Sequence, residues 1–157
     1  MIKRVLAQPY AIDHTLRLRD EIDKADTILF LADNAGETVF DRLLIETIDR
    51  PVIYAVKDAP VLNDATSKDA TAAGLDHVAR VISCGARAPG TILSQCNEDF
   101  INIYEHADVI IAKGQGNYEA LSEEKKSIFF LLQTKCDVIA RDLGVPVGSI
   151  IAKCSLL

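Results

Sequence analysis

Several features that would settle the class of this chain at a glance are missing. The four cysteines, Cys84, Cys96, Cys136 and Cys154, are far apart and form no Cys-x-x-Cys pair. That gives no support to a zinc knuckle or a disulfide framework and reads them as reduced, mostly packing residues. No apolar stretch approaches the roughly 20 residues that cross a bilayer, and the opening Met1 to Pro9 is too short and too interrupted for a signal peptide. The expectation is a cytoplasmic protein with no membrane partner. There is no Lys/Arg-rich run, and the formal net charge is -6, so nucleic acid is not an expected partner either. An anionic substrate would need local help from a metal or a few lysines. Linkers, repeats and low-complexity tracts are also absent. With 157 residues and 49% hydrophobic content, the chain suits one compact domain over 1–157 that buries about two thirds of its unfolded surface.

What is present is a rhythm. After a polar, amphipathic opening within residues 1–24 (Ala11 to Lys24), apolar runs recur at Thr27–Ala32, Val52–Val56, Val78–Ser83, Val109–Ala112 and Ile128–Leu132. Segments of helical character separate them. The alternation predicts βαβ units, and runs that are continuous rather than alternating predict strands covered on both faces. The fold class is therefore α/β: a doubly wound, mostly parallel sheet in a three-layer α/β/α arrangement. Thr38 to Ile48 predicts a helix with Val39, Leu43, Leu44 and Ile48 on its buried face, and Asn97 to Ala107 one with Phe100, Ile101 and Tyr104. Cys136 to Leu143 predicts a third, closed by Gly144 before Val145-Pro146 turns the chain into Ser149–Ala152.

The polar clusters all follow predicted strands: Asp33-Asn34, Asn63-Asp64, Ser83 to Gly90, Lys113 to Asn117, and Lys135. In a parallel sheet these positions converge along one edge, where open α/β sheets keep their ligands. Asp33, Asn34 and Asp64 supply oxygen donors of the kind hard divalent cations prefer. The competing reading is an ordinary turn at Asp33-Asn34 and a helix cap at Asp64 or Thr66. Lys113-Gly114-Gln115-Gly116-Asn117 combines glycines that let backbone amides approach an anion with an adjacent lysine. It equally suits a flexible turn with a solvated lysine. Lys135 would emerge at the end of the last core strand, where its ammonium could neutralise a phosphoryl group or simply be solvated. Glu37 would lie in a first helical turn, favoured there by the helix dipole and able to reach a substrate hydroxyl. Cys84 has no activating base in sequence relation to it among His14, His77 and His106, so it is not read as a nucleophile. The first apolar run is followed by no Gly-x-Gly-x-x-Gly, which sets aside nicotinamide and flavin cofactors. No serine elbow is seen.

Together, Asp33-Asn34-Ala35-Gly36-Glu37, Asn63-Asp64-Ala65-Thr66, Ala88-Pro89-Gly90-Thr91, Lys113-Gly114-Gln115-Gly116-Asn117-Tyr118-Glu119 and Lys135-Cys136 resemble the family first catalogued as domain of unknown function 89, now called the damage-control phosphatases. The resemblance runs from about Asp13 to Lys153. It implies a Rossmann-like domain carrying a divalent metal (manganese, magnesium, cobalt or nickel) and hydrolysing small phosphorylated metabolites. On that resemblance Asp33, Asn34 and Asp64 hold the metal, Glu37, Lys113, Gly114, Gly116, Asn117 and Lys135 contact substrate, and Asp33 and Lys135 take part in catalysis. Attack by water and attack by the Asp33 carboxylate are both open. Archaeal and bacterial members usually carry an N-terminal helical region with a Cys-x-x-Cys motif that covers the crevice, and this sequence begins after it. The alternative expectation is therefore a binding module, a homo-oligomer, or a subunit completed by a cap-supplying partner. Methyl transfer from S-adenosylmethionine is a third, weaker reading.

Overall fold

The structure is a computed structural model that describes residues 7–156. Seven strands form one sheet: β1 (Tyr10–Asp13), β2 (Ile28–Leu31), β3 (Val52–Val56), β4 (Arg80–Ser83), β5 (Val109–Lys113), β6 (Ile128–Gln133) and β7 (Ile150–Cys154). Their order is β1-β7-β6-β5-β2-β3-β4. All neighbouring pairs are parallel except β6 with β7. The five expected apolar runs are the five central and right-hand strands, and β2 reads Ile-Leu-Phe-Leu with every residue buried. Such a strand has no solvent face, so it belongs at the middle of a sheet covered twice.

Six α-helices cover it: α1 (Thr15–Ile22), α2 (Thr38–Glu46), α3 (Ser67–Ala72), α4 (Glu98–His106), α5 (Gly114–Leu121) and α6 (Asp137–Leu143). On one face α4, α5 and α6 bury Phe100, Tyr104, Leu121, Ile139 and Leu143 against Leu29, Ile110 and Phe130. On the other, α1, α2 and α3 bring Leu18, Ile45 and Ala70 to Phe30, Tyr54 and Ile111. Gly144 ends α6 in the left-handed region at φ 68°, where glycine carries no Cβ penalty. No helix among the described residues is long and apolar enough to cross a membrane.

Three local expectations need correction. The amphipathic opening, whose residues 1–6 lie outside the described residues, contains an unforeseen strand, β1, beside β7. Its four residues are mostly exposed, so it lacks the apolar run that revealed the others. The last core strand is thus not last, since β7 and β1 continue the sheet beyond β6. Helix α2 is rotated from its apolar stripe: Thr38, Asp41 and Ile45 are buried, whereas Val39, Leu43 and Leu44 are 55%, 56% and 39% exposed. The cause is Asp41, whose carboxylate accepts from Lys113 Nζ and Tyr54 Oη at 2.7 and 2.8 Å. A buried charge left unpaired costs several kcal/mol, more than the roughly 1.5–3 kcal/mol for each apolar side chain left in water.

The rotation has a direct consequence. Ile45→Ala is expected to lower unfolding free energy by about 2–4 kcal/mol, and Leu43→Ala by less than about 0.5 kcal/mol, in urea denaturation followed by circular dichroism. The reverse ranking would restore the apolar stripe as the buried face.

Candidate active site at the β2–β5 crossover

Strands β2 and β5 lie side by side, with Leu31 opposite Ala112. From this pair the chain order runs one way through β3 and β4 and the other way through β6. That reversal opens a crevice at the strand ends. Asp33 leaves β2 into it, and Lys113 ends β5 beside it. Between them Gly114 adopts φ +82°, and a Cβ there would overlap the Asp33 carboxylate. The tetrahedral carbon of any other residue is excluded, so Gly114 both turns the chain into α5 and makes room for Asp33. The Gly-rich segment is therefore not a flexible turn: it is the first turn of a helix.

The loop after β2 is fastened to the loop after β3. Ala35 N–H donates to Asn63 O and Ala65 N–H to Asp33 O, both at 2.8 Å, which pairs Asn34 with Asp64 as an antiparallel bridge. Asn34 Oδ1 accepts from Gly36 N–H at 2.8 Å, the ordinary turn bond, and keeps one lone pair. Thr66 and Asp69 form the capping box of α3, so Asp64 has no part in capping. It lies 3.8 Å from Lys57 Nζ.

Lys113 is half-buried, and its Nζ donates at 2.7 Å to Glu37 Oε2 and to Asp41 Oδ1. Burial draws its ammonium down, but the two carboxylates outweigh that and hold it above the usual lysine value. Asp33 is different. Burial, then the nearby Glu37 and Asp64 carboxylates, push its carboxyl up to about 6, against the partial offset of Lys135 and Lys113. Lys135 is exposed, with its backbone N–H held by Gln115 Oε1 at 2.9 Å. Asp33, Glu37, Lys113, Gly114 and Lys135 together line one recess of about 440 Å³.

Two expected substrate contacts lie elsewhere. Asn117 is 2% exposed; its amide donates to Ala32 O and Lys113 O at 3.1 and 2.8 Å, and its Oδ1 accepts from Thr91 Oγ1 at 2.8 Å. One donor ties α5 to the residue before Asp33 and the other closes on the start of α5 itself. Gly116 packs on Gly90, 3.3 Å from where its Cβ would meet Gly90 N. Neither lines the recess. Sequence reasoning missed Lys57, which is 4% exposed, donates to Gly90 O and faces Asp64. A lysine directly after a buried strand was the available signal.

The model of the damage-control phosphatase ARMT1-like domain matches residues 2–151. The chain belongs to this family. A damage-control phosphatase of Pyrococcus horikoshii is 43% identical over 155 residues, covering 96% of this chain and 54% of its own length. One from Archaeoglobus fulgidus is 38% identical, covering 97% of this chain and 54% of its own length. The crystal structure of a DUF89 family protein from P. horikoshii superposes with a TM-score of 0.94 at 42% identity, covering 98% of this chain and 56% of that one. The chain spans about half the length of the curated relatives it matches.

Two predictions follow from the geometry. Because the folded state holds Asp33 protonated up to about pH 6 and the unfolded chain releases that proton near the ordinary aspartate value of 3.8, this group lowers stability as pH rises between those values. Asp33→Asn is therefore expected to be more stable than wild type at pH 7.5, by about 1–2 kcal/mol after solvent screening, with no difference below pH about 4. Urea melts in the presence of a chelator measure both; a less stable Asn variant at pH 7.5 contradicts the charge crowding. Gly114→Ala should lose roughly 2–4 kcal/mol in the same assay.

Proposed function

We propose that this domain is a divalent-metal-dependent phosphatase that hydrolyses phosphomonoesters of small metabolites. The observation that carries the reading is the convergence of Asp33, Asp64, Lys113 and Lys135 at the crossover, in a chain whose relatives bear the name damage-control phosphatase. Asp33, Asp64 and the free lone pair of Asn34 suit a hard cation, and the crowding of Asp33 by Glu37 and Asp64 is the repulsion that such a cation relieves. Among the described residues no group of three or more His, Cys, Asp or Glu is placed to hold a cation, so a cation here would need water or substrate oxygens to complete its shell. A bound cation would polarise a phosphoryl oxygen.

The chain's own groups account for the rest. Lys135 meets the charge that develops on the phosphoryl oxygens as water attacks phosphorus and the ester P–O bond breaks, the alcohol leaving with a proton. Lys113 fixes Glu37 at the mouth of the recess.

Phosphate release from an aryl phosphate and a panel of phosphometabolites, with manganese, magnesium, cobalt or nickel, tests this. Expected are cation-dependent turnover and a loss of about 100-fold or more in kcat for Asp33→Ala. Cation binding by calorimetry without phosphate release from any ester would replace the phosphatase with a binding module.

A further inference from the structure

The crevice is lopsided, and the connectivity explains why. The helices that follow β5 and β6 both leave onto the face packed by α4, α5 and α6. On the opposite face α1 packs through Leu18 and Ile22 on the cluster containing Phe129 and Cys154, the register pair at the far end of β6 and β7. At the crevice end of that face no helix among the described residues covers the strands. Gln133, Ile150 and Tyr10 form one row across β6, β7 and β1, and Leu131 stands two residues lower, opposite Lys113. All four line the same recess as Asp33 and Lys135. Leu131 and Ile150 are half-buried and Tyr10 is 48% exposed.

The polar supply at this end is small. Gln133 Nε2 already donates to Gly148 O at 3.0 Å, leaving its amide oxygen, and the Tyr10 hydroxyl is the other group. Among the described residues no protein partner binds that hydroxyl. A polyhydroxylated skeleton would set several hydroxyls against Leu131 and Ile150, whereas a branched or aromatic one would bury apolar area there. We infer that the Tyr10–Leu131–Gln133–Ile150 end of the recess holds the carbon skeleton of the phosphate ester, and that it selects esters of branched-aliphatic or aromatic alcohols over those of polyols. The inference rests on the phosphatase reading and adds the substrate class to it.

The test compares 3-methylbutyl phosphate with glycerol 3-phosphate, two primary alkyl esters of equal charge. Expected is a preference of about tenfold or more in kcat/KM for the branched ester, since each buried methylene is worth roughly that order of discrimination. Tyr10→Ala, on a half-exposed edge strand, and Leu131→Asn should each cut the preference to about threefold or less. Equal values, or a preference for the glycerol ester, overturn the inference while leaving the phosphatase intact. If neither ester turns over with any of the four cations, the wider ester panel decides the phosphatase reading, and calorimetry with 3-methylbutylphosphonate against 2,3-dihydroxypropylphosphonate decides the recess. Tighter binding of the branched phosphonate supports its selectivity; equal binding, or none, overturns it.

Discussion

An ammonium that leaves water must take its counter-charges with it, and much of this molecule is arranged around the way Lys113 does so. Its Nζ reaches Glu37 at the entrance of α2 and Asp41 one turn on, while Tyr54 of β3 donates to the other Asp41 oxygen. Helix α2 and strand β3 are thereby locked to the end of β5. Burial alone drives the Asp41 carboxyl upward, and the Lys113 and Tyr54 bonds oppose it, so removing any one partner strands the others in low dielectric. The rotation of α2, with Val39, Phe40 and Leu43 left in solvent, is the price of that lock.

Asp33 shows the opposite economy. Its carboxylate has the close Cα of Gly114 on one side and two other acids nearby, with no hydrogen bond to its oxygens among the described residues. The fold does not satisfy this group; it crowds it. An acid held in that state lowers stability at neutral pH and is therefore best understood through what it binds. Asp41, by contrast, has both carboxylate oxygens bonded, to Lys113 and Tyr54, and this contrast between a satisfied acid and an unsatisfied one, close together, separates scaffold from site.

The sheet was legible because its strands are buried on both faces and so stand out as unbroken apolar runs, and the crossover followed from where polar residues interrupt those runs. Legibility failed where burial and hydropathy part company. Strand β1 is exposed and carries no run; the phase of α2 is set by one buried aspartate against four leucine- and valine-like neighbours; Lys57 is a buried cation that composition reads as surface. For the site, position along the chain located Asp33, Glu37, Lys113, Gly114 and Lys135 at one recess but could not say which way each side chain points. Asn117 belongs to the same pentapeptide as Lys113 and faces the interior instead.

That division within one short motif has a geometric origin. Lys113 keeps the extended backbone of β5, with φ -90° and ψ 139°, so its side chain leaves with the strand, while that of Asn117, one turn into α5, is directed by the helix. Lys113 and Gly114 border the recess, whereas Asn117 turns under the helix and reaches Ala32 O, immediately before Asp33. Thr91, bonded to Asn117, and Gly90, resting on Gly116 and accepting from Lys57, extend the brace to the loop after β4 and to the end of β3. Lys57 in turn faces Asp64. A continuous set of contacts therefore runs behind the crevice from the residue before Asp33 to the Asp64 carboxylate, joining the two loops. Two carboxylates that repel each other stay close only if something stiff holds their backbones, and this brace, together with the paired strands beneath it, supplies that stiffness.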